Sequence, residues 1–239
     1  MEDRKSGLSQ EGLKLIACIS MLIDHFGATV VLKLQIPWMA QLYHACRIIG
    51  RIAFPIYCFL LVEGMRRTRD PLRYILRLAI GIVLAELPFD YLFDGRFTWS
   101  DQSVMVTLTL GACMLLCMEK TDKEWLKLLL VLPFAMAAEL CQCDYGGGGI
   151  VMIAVFYLFD QLLLQTVALF LVNWQLLPSA AVIVCGVVVT IQLMATLAMI
   201  PIALYSGRKL TRSKAVQWGF YLFYPMHLLI LWLISGVIG

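Results

Sequence analysis

Charge is scarce in this 239-residue chain: Asp, Glu, Lys and Arg make up 15% of it, against 61% hydrophobic residues and a mean hydropathy of +0.84. Soluble domains carry about a quarter charged and about half apolar residues. One water-facing domain cannot bury this much apolar surface, so lipid must be the solvent. Period-two alternation is also missing, which excludes an outer-membrane barrel. The apolar runs are long and continuous, and the fold class they imply is an all-α, polytopic membrane bundle. The eight cysteines (Cys18, Cys46, Cys58, Cys113, Cys117, Cys141, Cys143 and Cys185) form no CxxC pair. That argues against a zinc site or a disulfide framework, and they read as small buried hydrophobes. Cys141 and Cys143 are the pair to test for oxidation. No metal and no nucleic-acid partner is expected. Met1 to Lys14 lacks a small-residue cleavage site and Asp24 would interrupt a signal core, so the first helix reads as retained. No internal repeat is evident, so the inverted-repeat signature of many transporters is missing.

The first apolar run, Leu13 to Leu32, has the length of one membrane-crossing helix. The second span runs from Ala45 to about Met65 with a kink expected at Pro55, and the third from Leu72 to Phe93. Ser103 to Met118 and Trp125 to about Leu140 follow. Gly146 to Gly149 fits a loop or a close backbone approach rather than a helix interior. Ile150 to Tyr205 is too long for one helix and suits three short ones, with breaks near Asp160-Gln161 and Leu177-Pro178. A last span covers about Trp218 to Ile238. Basic clusters at Arg66 to Arg73, Lys120 to Lys127 and Arg208 to Lys214, with Arg4, Lys5 and Lys14, place those ends and the N-terminus in the cytoplasm. The opposite side keeps only Lys33, Arg47, Arg51 and Arg96 of the 19 Lys and Arg residues. The expected topology is nine spans in a single domain, 1–239.

Polar residues inside the spans are few and therefore informative. Asp24 and His25 lie roughly 15 Å beyond Lys14, near the midplane of a ~30 Å hydrocarbon core. His227, one of three histidines, falls at the same depth. Ionisable groups there are functional-site hypotheses by default. Arg51, Glu86 and Asp90 fall in the outer half, and Glu63, Arg73 and Arg77 in the inner half. Arg47 with Arg51, Glu86 with Asp90, and Arg73 with Arg77 are each four apart on one helical face. Arg47 and Arg51 against Glu86 and Asp90 is the simplest pairing. Asp24 and His25 are neighbours in sequence, hence about 100° apart on a helix, which argues against a relay between them. One should face a cavity and the other a neighbouring helix. Pro55, Pro88 and Pro225 each share a span with such a residue, and a proline kink frees a carbonyl.

The stretches Leu13-Lys14-Leu15-Ile16-Ala17 through Leu22-Ile23-Asp24-His25, Arg47-Ile48-Ile49-Gly50-Arg51-Ile52-Ala53-Phe54-Pro55 and Leu60-Leu61-Val62-Glu63-Gly64 resemble the TraX family of bacterial membrane proteins. So do Tyr74-Ile75-Leu76-Arg77-Leu78, Glu86-Leu87-Pro88-Phe89-Asp90, Asp144-Tyr145-Gly146 and Tyr221-Leu222-Phe223-Tyr224-Pro225-Met226-His227-Leu228. The likeness runs in order along nearly the whole chain. It implies a link to N-terminal acetylation of conjugative pilin, and a distant relation to polytopic acyltransferases that use coenzyme A. Ser103 stands where the family pattern has Asn; it can still hydrogen-bond but lacks the amide's second function.

The expected function is therefore a membrane acyltransferase of the bacterial cytoplasmic membrane. Acetyl-CoA is the implied donor, and an amine or hydroxyl such as a protein N-terminus, or a small molecule, the acceptor. His25 is the expected general base or transient acyl carrier, with Asp24 orienting it. Arg51 or Thr107 would stabilise the oxyanion, and Glu63, Arg77, Glu86, Asp90 and His227 would support the network. Arg66, Arg67, Arg73 and Lys209, on the inner rim, are candidates for the phosphates of coenzyme A. A proton-coupled transporter or flippase is the rival, because midplane Asp, Glu and His also build proton relays. A scaffold whose buried charges are purely structural is the third reading.

Overall fold

The computed structural model describes residues 7–34, 36, 38–177, 181–184, 187–211 and 213–238. Arg4, Lys5, Pro178, Cys185 and Arg212, which entered the topology and cysteine arguments, lie outside the described residues. The chain divides into two compact units, Met1–Leu60 with Ser179–Gly239, and Leu61–Pro178.

In the first unit α1 (Gln10–Phe26) begins where Ser9 accepts a hydrogen bond from the Gly12 N–H at 3.0 Å. That contact satisfies one of the orphan donors of a helix start. Residues 204–211 clasp this end. Leu8 N–H donates to Leu204 O, Ser206 N–H to Leu8 O, and the Glu11 carboxylate accepts from the amides of Leu210 and Thr211. Beyond Phe26 the helix widens into a π-helical turn, Gly27–Val31. The first apolar run is thus one crossing element with a change of winding directly after Asp24-His25. Such turns break the regular ladder and recur at functional sites.

Helix α2 (Met39–Gly50) packs on α1 through small residues. A Cβ on Gly27 would come within 2.4 Å of the Cys46 Cβ, and one on Gly50 within 2.2 Å of the Asp24 side chain. The chain then steps into α3 (Ala53–Arg67). The expected kink at Pro55 falls at Arg51-Ile52, where the Arg51 N–H is shared between the Arg47 and Ile48 carbonyls and Ile52 makes a long i→i−3 bond to Ile49. Proline at 55 crowds the carbonyl four residues earlier, that of Arg51, so the break precedes the proline. Helix α10 (Lys214–Ile238) closes the unit against α1 and is continuous through Pro225.

In the second unit α4 (Pro71–Phe93), capped by Asp70 and continuous through Pro88, leads to α5 (Val104–Glu119) and α6 (Glu124–Leu140). Helix α7 (Gly146–Leu158) is the centre: it is buried from Gly146 to Phe156 except for Val151 and packs on α5, α6 and α8 (Leu162–Gln175). An apolar helix buried all round reads in sequence as uniformly hydrophobic, with no polar face to reveal its orientation.

Two expectations change here. Gly146 to Gly149 is the first turn of α7, not a loop. The close approach is real, however: Gly147 N–H donates to Glu139 Oε1 at 2.7 Å, and a Gly148 Cβ would meet Leu177 at 2.6 Å. The residue before the run, Tyr145, takes the left-handed turn at φ +65°.

The second change concerns Ile150 to Tyr205, which is not three helices. The break at Asp160-Gln161 is present between α7 and α8. In the first unit, β1 (Ala181–Val184) and β2 (Val187–Thr190) pair antiparallel, Ala181 opposite Thr190. A 3-10 stretch, Ile191–Ala198, and α9 (Met199–Ala203) follow. Val and Ile fill both strands, and branching at Cβ favours the pleated conformation over the helix.

Among the described residues, three helical stretches are long and apolar enough to cross a membrane: Gln10–Val31, Met39–Arg67 and Lys214–Ile238. Shorter apolar helices accompany them, including Val104–Glu119 and Leu162–Gln175. Large apolar side chains stand exposed along α4, α6 and α10, as at Leu72, Leu132 and Leu233. A surface of that kind is stable against lipid and aggregates in water. This is a helical membrane protein.

Candidate functional site

Asp24 and His25 project from adjacent positions on α1 and take different partners, as their angular separation requires. Asp24, 7% exposed, meets two guanidiniums from α2 and its C-cap. Arg47 Nη1 and Arg51 Nη2 each lie 2.8 Å from Asp24 Oδ2. Arg51 also donates to the Arg47 carbonyl and to Gln192 Oε1, both at 3.3 Å. Two positive charges on one carboxylate leave a single excess positive charge among these three groups. The like-charged pair on one face of α2 does find a carboxylate. It is Asp24, and not the expected Glu86 and Asp90. The glycine at 50 makes this possible, because any larger residue would occupy the space of the carboxyl group.

His25 turns toward α10. Its Nδ1 lies 2.8 Å from His227 Nε2, with the rings 9° from parallel, and His227 Nδ1 lies 2.9 Å from the Phe223 carbonyl oxygen. These contacts fix the protons. A carbonyl only accepts, so His227 carries its proton on Nδ1 and presents a lone pair at Nε2. His25 Nδ1–H therefore donates to it, and the neutral His25 ring has its lone pair on Nε2. Phe223 stacks on His227 at 4.8 Å, and Tyr224 meets both imidazoles edge-on. His25 and His227, which the rise along their helices set level, are in direct contact.

Of the sequence-predicted site residues, the structure brings together Asp24, His25, Arg51 and His227. Arg47 and Gln192 complete the cluster. Arg47, half-buried, shares a helical face with Arg51 as its spacing predicts, but its carboxylate is Asp24 rather than the expected Glu86 and Asp90. Gln192 is 2% exposed and is the polar interruption in a Val- and Ile-rich stretch, which was the available signal.

The remaining candidates lie in the second unit, each with a local partner. Glu63 pairs with Arg67, and Arg77 lies 5.6 Å over the Tyr74 ring. Glu86 accepts from both the backbone N–H and the hydroxyl of Ser103, at 3.2 and 2.8 Å. Asp90 accepts from the Thr98 N–H, and Thr107 donates its hydroxyl proton to the Asp144 carbonyl. Ser103 thus anchors α5 to α4. Arg66 pairs with Asp160 at 3.2 Å and donates to the Tyr157 carbonyl, and Arg73 pairs with Asp70 at 2.9 Å. Lys209 belongs to the first unit, in the clasp around the start of α1. Among the described residues no three His, Cys, Asp or Glu side chains converge as metal ligands.

A helical membrane protein with a histidine pair joining its first and last helices, beside a carboxylate bound by two arginines, is the class that fold and site define. The family description "TraX protein" matches residues 9–235, and the chain belongs to the TraX family. It is 28% identical over 231 residues to "Probable fimbrial assembly protein FimC, serogroup H1" of Dichelobacter nodosus, covering 92% of each chain. It is 30% identical over 146 residues to "Protein TraX" of Escherichia coli (strain K12), covering 60% of this chain and 53% of that one. No solved structure matches.

Proposed function

We propose that the chain is a membrane-embedded acyltransferase that moves an acyl group, acetyl in the simplest case, from a CoA thioester to an amine or hydroxyl. The observation that carries this reading is the ordered chain from the Phe223 carbonyl through His227 to His25. It presents the Nε2 lone pair of one imidazole in a fixed direction. A thioester is already activated, so the protein's tasks are to take a proton from the nucleophile and to favour the oxyanion.

His25 Nε2 takes the acceptor's proton as its nitrogen or oxygen attacks the thioester carbonyl. The new C–N or C–O bond forms, the C–S bond breaks, and His25 returns the proton to the departing thiolate. His25 Nδ1–H stays on His227 throughout, so the imidazolium is held in place while it exists. The excess positive charge of the Asp24, Arg47 and Arg51 cluster favours the negative charge that develops on the carbonyl oxygen. Arg51 is the member that orients it.

The acceptor class that fits best is a protein N-terminus, in keeping with the name of the Dichelobacter relative as a fimbrial assembly protein. The chain sits in the bacterial cytoplasmic membrane as a multi-pass protein with its N-terminus inside. Nine crossings follow when the strand pair and the Ile191–Ala203 helical stretch together form the eighth. Arg66, Arg67, Arg73 and Lys209 then face the cytoplasmic donor. The first three hold local ion pairs at or near the surface, which are worth under about 1 kcal/mol each and exchange readily for phosphate.

The test supplies labelled acetyl-CoA and free-amine peptides to the purified protein in lipid nanodiscs. Transfer should fall about 100- to 10,000-fold in His25→Ala. Full transfer by that variant sinks the role of His25. Substrate flux that follows a pH gradient without any thioester replaces the reading with a transporter.

A further inference from the structure

Helix α10 contains two glycines that no packing contact explains, Gly236 near its end and Gly219 near its start. A Cβ built on Gly219 meets nothing within 4 Å, although glycine in a helix interior is destabilising by about 1 kcal/mol relative to alanine. Its surroundings supply the reason. Gly219 lies on the floor of an apolar groove of about 330 Å³ between α1 and α10, walled by Leu15, Ile19 and Leu22 on one side and Val216 and Phe223 on the other.

The two ends of the groove differ in charge. At one end Lys14 Nζ sits 5.4 Å over the Phe220 ring, and Lys209 is near enough to repel it. Arg208, two residues from the clasp at Ser206, reaches the Gly7 carbonyl. The acidic neighbour, Glu11, accepts from the amides of Leu210 and Thr211 and also lies near enough to attract Lys14, so the mouth keeps the excess positive charge of Lys209 and Arg208. At the other end is Phe223, with no charged side chain in the lining. The groove is thus an open apolar channel with a cationic mouth.

We propose that this groove is a binding site for an anionic glycerophospholipid. One acyl chain lies along Gly219 toward Phe223, and the phosphate is held by Lys14 and Lys209. The charge pattern selects this occupant over a neutral lipid. Basic residues at an anionic leaflet surface contribute about 1 kcal/mol each, whereas the apolar walls do not discriminate among headgroups. Lipid binding here needs no thioester and stands whether or not the chain transfers acyl groups.

The experiment reconstitutes the full chain in vesicles of equal phosphatidylglycerol and phosphatidylcholine, extracts it gently, and counts retained lipid by native mass spectrometry. Wild type should retain phosphatidylglycerol preferentially, and Lys14→Gln and Lys209→Gln should each weaken that preference by about fivefold. Gly219→Leu, which fills the groove without meeting protein atoms at Cβ, should lose the bound lipid, whereas Gly219→Ala should keep it. Equal retention of both lipids by wild type, or unchanged retention in Gly219→Leu, overturns the proposal.

Should Gly219→Leu fail to assemble, wild type decides with a phosphatidylglycerol carrying a photoreactive group on its tail. Labelling confined to the peptides containing Leu15 to Leu22 and Val216 to Phe223 supports the site, and labelling spread over the other helices refutes it. Displacement of the lipid by palmitoyl-CoA at equal concentration would reassign the groove to the thioester.

Discussion

His25 and His227, separated by 202 positions in the chain, share a 2.8 Å hydrogen bond from Nδ1 to Nε2. Because His227 donates its one ring proton, on Nδ1, to the Phe223 carbonyl, its Nε2 can only accept and the direction of the bond is set by chemistry and not by chance of side-chain rotation. The first helix supplies His25, and the last helix supplies its hydrogen-bond acceptor. The tautomer of His227 is set within its own helix by Phe223, whereas that of His25 is set only when the two helices meet.

Replacing His227 therefore has graded effects. His227→Gln keeps an oxygen that accepts from His25 Nδ1–H, and His227→Leu keeps only bulk. Partners that orient a reactive imidazole are worth about 10- to 100-fold in activity. The leucine variant should show a loss of that size in the acyl-transfer assay, with the glutamine variant between it and wild type. Equal rates for Gln and Leu would remove the orienting role. Nitrogen-15 chemical shifts of His227 give a separate reading, since Nδ1 should be the protonated atom.

The ion cluster makes a prediction about stability. Asp24→Asn leaves the half-buried Arg47 and Arg51 side by side with no carboxylate between them. Removing one partner of a fully buried ion pair costs about 3–5 kcal/mol, and the partial exposure of the arginines puts the loss here below that range. Thermal unfolding in detergent should drop accordingly, and Arg47→Met in the Asp24→Asn background should recover part of the loss. Additive losses in the double variant would mean the contact contributes nothing.

The glycine at 50 is a steric requirement of the same cluster. A methyl group there would lie 2.2 Å from the Asp24 Cβ and Oδ1, so either α2 moves away from α1 or Asp24 leaves its arginines. Gly50→Ala should destabilise by about 1–3 kcal/mol, the usual range for overpacking. Gly236→Ala, which meets nothing within 4 Å, is the comparison and should unfold near the wild-type temperature.

The helices were legible wherever hydropathy and punctuation agreed. Leu72 to Phe93 and Trp125 to Leu140 match α4 and α6 within a residue at each end, and Asp160-Gln161 marks a true break. Residues 181–184 and 187–190 were not legible as strands, because a short apolar run has the same hydropathy in either conformation and only its Cβ branching distinguishes them. The same limit applied to the site. Helical spacing put Arg47 and Arg51 on one face and separated Asp24 from His25, both correctly, but it carries no information on which helix that face meets. Depth supplied that information for His25 and His227, since both helices cross the same layer. Gly146 to Gly149 failed for a different reason: glycine is a helix breaker in water, whereas here the absence of side chains lets Glu139 and Leu177 reach the backbone.

Ser103 offers a test in the second unit. It is fully buried, and both its amide and its hydroxyl donate to Glu86. Ser103→Ala removes the shorter of the two bonds and leaves a Glu86 oxygen without a protein donor, a loss of about 1–3 kcal/mol. Ser103→Asn, the residue of the family pattern, restores a side-chain N–H and should unfold above the alanine variant. Ser103→Ala and Glu86→Gln together should cost less than the sum of the two, because the removed groups are partners in one contact. Strict additivity would show that Ser103 and Glu86 do not meet.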